Sequence, residues 1–191
     1  MVEPDNKIRA TVIGAGSLSI SVSGSTCYHD PKIHLPLTNV PVVPINMNFY
    51  EIIMGGEMKA RQFKETVALA LHNYNLVEGL DTFALYFNDI QIRANLSLFS
   101  KLLATALPNA FANHKHVIII LGFDGAKMLG LTLKKETDLK ENLFCLDELF
   151  LEAGDWIDIG KPFGENESFP ITIKSLIFNQ NKQKNDRHVI S

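Results

Sequence analysis

Cysteine is scarce: Cys27 and Cys145 are the two in 191 residues, far apart and with no C-x-x-C pair. This argues against a disulfide framework and suits free thiols in a reducing compartment. Long apolar runs are missing too. None is longer than that of Val117-Ile118-Ile119-Ile120-Leu121, against the roughly 20 residues a helix needs to span a bilayer. Nor does one sign of charge dominate. With 18 Lys+Arg, 21 Asp+Glu and a formal net charge of −3, and no basic run longer than Lys134-Lys135, neither nucleic acid nor membrane is an expected partner. Glu3 and Asp5 stand where a signal peptide would be basic and then apolar, so the expected location is the cytoplasm.

What remains is a core-forming composition. Hydrophobic residues make up 46% and charged residues 20%, unlike a disordered chain. The length suits one good-sized domain with room for an appendage.

Ser19, Ser21 and Ser23 alternate with Leu18, Ile20 and Val22, a period of two, and Ile8 to Gly24 reads as a β-hairpin whose tip is Gly14-Ala15-Gly16. Pro31, Pro36, Pro41 and Pro44 deny a helix to the next segment. A first helix is expected from Met58 to Leu76, with Phe63, Val67, Leu71 and Tyr74 on one face and Gly79 as its stop. Phe83 to Phe87 reads as a short buried strand. Ile92, Leu96, Phe99, Leu103 and Leu107 then mark a second helix, ended by Pro108. The β-branched run from His116 to Leu121 implies a strand buried on both faces, as in a sheet covered by helices. Asp124 is placed to cap a third helix that ends near Lys134 and Lys135, where the dipole favours positive charge.

After Thr137 the pattern changes to three short strands, Leu143 to Leu151, Trp156 to Ile159 and Ile171 to Phe178. The expected organisation is a lobe over 1–136, a β appendage over 137–178 packed on it, and a polar tail over 179–191. Hairpin, extended segment, helix, strand, helix, strand, helix is a ribonuclease H-like order. The expected fold class is therefore α/β, an actin-like ATPase lobe with a mixed five-stranded sheet and flanking helices.

Four patches carry a closer resemblance. They are Ile8-Arg9-Ala10-Thr11-Val12-Ile13-Gly14-Ala15-Gly16 continuing to Ser23-Gly24-Ser25-Thr26, Leu35-Pro36-Leu37-Thr38-Asn39-Val40-Pro41-Val42, Asp124-Gly125-Ala126-Lys127-Met128-Leu129-Gly130, and Gly154-Asp155-Trp156-Ile157-Asp158-Ile159-Gly160-Lys161-Pro162. In order, they resemble the C-terminal lobe of the ethanolamine ammonia-lyase reactivating factors, the ethanolamine utilisation protein A family. The resemblance implies a chaperone-like factor that frees ethanolamine ammonia-lyase of damaged cobalamin so that intact adenosylcobalamin can replace it. It implies ATP with Mg²⁺ as cofactor, shared with a missing N-terminal lobe, with no tightly bound cofactor expected. ATPase activity is expected only together with that lobe. The lyase and that lobe are the implied partners, in a cytoplasm where a bacterial microcompartment offers a further location.

Gly14, Ala15, Gly16 and Ser17 are the candidate phosphate contacts, because glycines let backbone N–H groups approach an anion and Ser17 adds a hydroxyl. The residues alone favour a plain hairpin turn; the resemblance brings phosphate contact level with it. Actin-like ATPases open this motif with a Mg²⁺-organising aspartate, and Val12 stands at that place. Their adenosine-binding Gly-Gly is likewise replaced, by Asn88-Asp89-Ile90. Asn88 and Asp89 are nucleoside-side candidates, with helix capping the more ordinary reading. These departures support an alternative, a protein-interaction module that keeps the fold and no longer binds nucleotide. No catalytic residue is nominated.

Gly55-Gly56 offers either an anion contact or, more ordinarily, a hinge. Cys27, His29, Asp30 and His34 are all potential ligands, but they lack knuckle geometry and no metal is expected there. His114 and His116 read as surface residues. Asp155 and Asp158 read as turn and outward strand positions, and Trp156 as a packing residue of the appendage or a partner anchor.

Overall fold

The computed structural model describes residues 16–23, 26–112, 116–139, 142–163 and 168–176. Ile8 to Ala15, His114 and the polar tail lie outside them. Eight described strands, rather than the expected five, are hydrogen-bonded in one curled sheet. They are β1 (Gly16–Ser23), β2 (Tyr28–His29), β3 (Leu37–Pro44), β4 (Ala84–Phe87), β5 (Val117–Leu121), β6 (Leu143–Leu146), β7 (Trp156–Ile159) and β8 (Phe169–Leu176), in the order β1-β8-β7-β3-β4-β5-β6-β2.

The central four strands, β3 to β6, run parallel. Helices connect them, as parallel neighbours require: α1 (Phe49–Asn73) joins β3 to β4, a 3₁₀ turn (Ile90–Asn95) with α2 (Leu96–Ala106) and the short α3 (Pro108–Ala112) joins β4 to β5, and α4 (Ala126–Glu136) joins β5 to β6. The strands that follow Thr137 are part of the same order: β6 lies beside β5, and β7 beside β3. Of the expected hairpin, the described arm is β1, and it pairs with β8 along its whole length.

β3 is where the sheet curls. Its first residues pair with β7 and its last with β4, and the register shifts between Leu37 and Val40 around Asn39 at φ 54°. Asp158 pins that shift. Its carboxylate accepts from Asn39 N at 2.7 Å and from Lys174 Nζ at 2.7 Å, while Lys174 also donates to Asn39 Oδ1 at 2.9 Å. Partial desolvation opposes ionisation of Asp158, but the Asn39 N–H and Lys174 outweigh it and hold the carboxyl below its ordinary value.

Curling produces two apolar layers from one alternation. Val117, Ile119 and Leu121 of β5 face a core with α1, α2 and α4, built on Phe49, Phe63, Phe99 and Leu133. Ile118 and Ile120 face the other core, with Val40, Phe144, Ile157, Phe169 and Ile171. β5 is thus buried on both faces as expected, but helices cover one face and the curled β half covers the other. In the helical core, Phe87 meets Phe99 edge-on at 4.9 Å and Phe63 stacks parallel to Phe87 at 6.4 Å.

Helix boundaries depart from the pattern for local reasons. α1 begins at Phe49, nine residues ahead of Met58, because Phe49 and Ile52 are buried anchors. It kinks at Gly56 (φ 57°, ψ −143°), so Gly55-Gly56 sits at a hinge inside the helix. It ends at Asn73, with Asn75 at φ 55°, before Gly79. Pro108 opens α3 rather than simply ending α2, since a first-turn position needs no N–H.

Candidate functional site

The carboxyl ends of parallel strands are where open α/β sheets hold ligands. Here each of three such ends carries an aspartate: Asp89 shortly after β4, Asp124 after β5 and Asp147 directly after β6. Each reaches back to the start of the connection that precedes its own strand. Asp89 Oδ2 accepts from Phe49 N, the first residue of α1, at 2.6 Å, and its Oδ1 accepts from Gln91 N at 2.9 Å. Asp124 Oδ2 lies 2.9 Å from Arg93 Nη2, on the 3₁₀ turn. Asp147 Oδ2 accepts from Gly125 N at 3.0 Å and Ala126 N at 2.9 Å, while its Oδ1 accepts from Thr26 Oγ1 at 2.8 Å.

This corrects the expected role of Asp124. α4 is capped by Asp147, 2% exposed, and the Asp124 side chain points instead to an exposed ion pair with Arg93. Asp147 stands beside no helix that it could cap in the sequence, yet a signal is present. Asp89, Asp124 and Asp147 each close an apolar run, Phe83 to Phe87, Val117 to Leu121 and Leu143 to Leu146.

The approach to the backbone is filled as well. A Cβ on Gly122 would come within 2.3 Å of Asn88 Oδ1 and 2.8 Å of the Tyr86 hydroxyl, so both side chains lie against that glycine. Burial raises the pKa of Tyr86, with a backbone hydrogen bond at Leu151 acting the other way. Asp89 therefore serves as a cap, and Asn88 is exposed over Gly122.

The phosphate candidates lie elsewhere in the sheet. Gly14 and Ala15 are outside the described residues; Gly16 and Ser17 begin β1 opposite Leu176 and Ser175. β8, β7 and β3 separate them from β4 and hence from Asn88 and Asp89 in the hydrogen-bonded order.

Asp30 is a structural carboxylate. It is 3% exposed, accepts from Leu143 N at 2.8 Å, Lys134 Nζ at 3.2 Å and Tyr28 Oη at 3.2 Å, and so ties β2 to β6 and to α4. His29 packs edge-on to Phe169 at 5.0 Å, His34 is exposed, and His116 is half-buried at the start of β5. Cys27 and Cys145 are not in a disulfide, and burial, above all, raises the pKa of Cys145. Among the described residues no cluster of three or more His, Cys, Asp or Glu could hold a metal ion. Asp155 is buried in the turn before β7, accepting from Glu152 N at 2.8 Å, and Trp156 is 42% exposed.

A family model described as ethanolamine utilisation protein EutA matches residues 1–179. The chain belongs to the EutA family. It is 32% identical over 179 residues to the ethanolamine ammonia-lyase reactivase EutA of Escherichia coli (strain K12), covering 92% of this chain and 35% of that protein. To the reactivase of the same name from Salmonella typhimurium strain LT2 it is 30% identical over 178 residues, with the same coverage of 92% and 35%. It thus spans about a third of the length of these EutA relatives. No solved structure gives a significant match. Among the described residues no helix is long and apolar enough to cross a membrane.

Proposed function

We propose that this chain is the C-terminal part of a chaperone-like reactivating factor for adenosylcobalamin-dependent ethanolamine ammonia-lyase, acting in ethanolamine utilisation. The observation that carries this reading is the EutA match over residues 1–179, supported by two curated relatives named as reactivases. The partners are the lyase and an N-terminal lobe, and the setting is the cytoplasm, with a bacterial microcompartment as a site of association. The whole factor promotes release of damaged cobalamin, ATP with Mg²⁺ supplying the free energy when bound between two actin-like lobes. A partner's preference for one conformation sets how far such a cycle shifts the equilibrium.

The starts of α1 and α4 at the strand ends do not fit a nucleotide phosphate, because they already hold carboxylates. This chain's share of a nucleotide site therefore rests on Gly14, Ala15, Gly16 and Ser17. The same observation, together with Val12, favours a second reading, an interaction module that binds the lyase without nucleotide.

Binding of the purified chain to immobilised ethanolamine ammonia-lyase, loaded with cobalamin lacking its adenosyl group, tests the shared claim. Saturable binding is expected, and none at any practical concentration rejects both readings. Affinity that changes between ATP·Mg²⁺ and ADP·Mg²⁺ rejects the second; identical affinity, also after adding the N-terminal lobe, rejects the first.

A further inference from the structure

Anions are held at helix N-termini because the first N–H groups lack partners and the helix dipole favours negative charge. At the carboxyl edge of this sheet, α1 starts on Asp89, the 3₁₀ turn on Asp89 and α4 on Asp147, at 2.6 to 3.0 Å. The remaining carboxylate, Asp124, holds the Arg93 guanidinium at 2.9 Å. Asn88 and Tyr86 cover Gly122, where the backbone would otherwise be open to a ligand. An arriving phosphate would find three carboxylates, an engaged guanidinium and occupied helix starts. Like charges at such distances repel, more strongly near a protein surface than in bulk water.

We propose that this edge is closed to phosphate by the chain itself, with the Asp147 carboxylate standing where an anionic ligand of α4 would sit. The inference deepens the reading of the chain as part of a reactivating factor and rests on it for its biological meaning. The strand-end edge is a brace that ties helix starts to strand ends, not a phosphate site.

The test has two arms on the 191-residue chain. In the first, amide hydrogen exchange of the wild-type chain is followed with ATP·Mg²⁺ and, separately, inorganic phosphate. Unchanged exchange over residues 122–127 and 48–52 is expected; slowing there by either probe overturns the proposal. In the second, Asp147→Ala uncovers the Gly125 and Ala126 N–H groups, and inorganic phosphate at matched ionic strength is expected to raise the unfolding midpoint of the variant by about 2–4 °C while leaving the wild type unmoved. A variant that phosphate does not rescue, or a wild type equally raised, overturns the claim that the carboxylate holds an anion's place. Should Asp147→Ala not fold, the exchange of the Gly125 and Ala126 amides in the wild type decides alone, and slowing by phosphate overturns the proposal. Lyase binding is measured on the same samples. A chain that binds the lyase but is protected by ATP·Mg²⁺ at these amides loses this proposal alone, and one that is unprotected but does not bind the lyase loses only the functional reading.

Discussion

Asp147 Oδ2 lies 2.9 Å from Ala126 N, so the residue that ends β6 caps the helix that leads into β6. Asp89 does the same for α1 at Phe49, and Asp124 approximates it through Arg93. α1 and α4 are thereby fixed at their starts from the strands they deliver. The central sheet is a series of closed loops in which helix entry, strand exit and sheet register are one mechanical unit.

Asp89→Ala should loosen two helix starts at once. Each lost cap costs about 0.5–2 kcal/mol, so a loss of roughly 1–4 kcal/mol is expected in urea unfolding. Faster amide exchange is expected together at Phe49–Ile52 and at Gln91–Arg93. Acceleration confined to the second segment would show that the 2.6 Å bond to Phe49 contributes nothing.

Gly55 and Gly56 should both lose stability to alanine, for different reasons. At Gly56 nothing lies within 4 Å of a new Cβ, but φ is +57° with ψ at −143°, a region left almost wholly to glycine, so Gly56→Ala should cost about 1–3 kcal/mol from backbone strain alone. At Gly55 the backbone is helical, but the new methyl would run into Lys59 Cγ and lie 2.8 Å from Lys59 Cβ. A rotamer change cannot move a Cβ, so the backbone around the kink must shift, which costs about 1–3 kcal/mol and outweighs about 1 kcal/mol of helix propensity gained. Thermal unfolding should therefore put both variants below the wild type; a Gly55→Ala midpoint at or above the wild type's would show that the kink relaxes freely.

Asp158 has a folded pKa below its unfolded value, so its contribution is present above the ordinary carboxylate pKa and lost as pH falls through the folded one. Asp158→Asn should be less stable than the wild type at neutral pH, and the gap should be constant down to about pH 5. Below that the two urea midpoints should converge. A gap that persists to the lowest accessible pH would mean that shape, not charge, holds the β3 register shift.

Much of this was legible in the sequence because alternation and helical periodicity survive in the local pattern. Val117–Leu121 announces double burial, and Phe63, Val67 and Leu71 announce the inner face of α1. Strand partners were not legible. Leu143 to Leu146 reads as a strand whether it pairs with β5 or belongs to a separate appendage, because the choice is made by side chains distant in sequence, such as Asp30 on Leu143 N. Asp124 reads as a cap for the same reason that Asp147 does not: capping is legible only when cap and helix are adjacent. The Gly14-Ala15-Gly16 tip reads as a turn in the sequence; Gly14 and Ala15 lie outside the described residues, and Gly16 and Ser17 open β1.

Tyr28 offers a test at high pH. Its hydroxyl donates to Asp30 Oδ1 at 3.2 Å, and its ring lies against Gly130 of α4, where a Cβ would be 2.1 Å from Tyr28 Cγ. Burial first, and then the Asp30 charge, push its pKa from 10.0 to about 12. A raised folded value means that the protonated phenol is the form the fold prefers. Its contribution is complete below pH 10.0 and is lost as pH rises towards about 12. Tyrosinate absorbance should show a late-ionising phenol that Tyr28→Phe abolishes. The wild type should exceed Tyr28→Phe in stability at pH 9, and the difference should shrink towards pH 12 as an anionic phenolate is forced against Asp30. Gly130→Ala should displace the ring, costing roughly 1–3 kcal/mol, and bring the late ionisation down towards 10. If the late phenol survives Gly130→Ala unchanged, the Tyr28 ring is not held by α4, and the tie from β2 through Asp30 to Lys134 must stand without it.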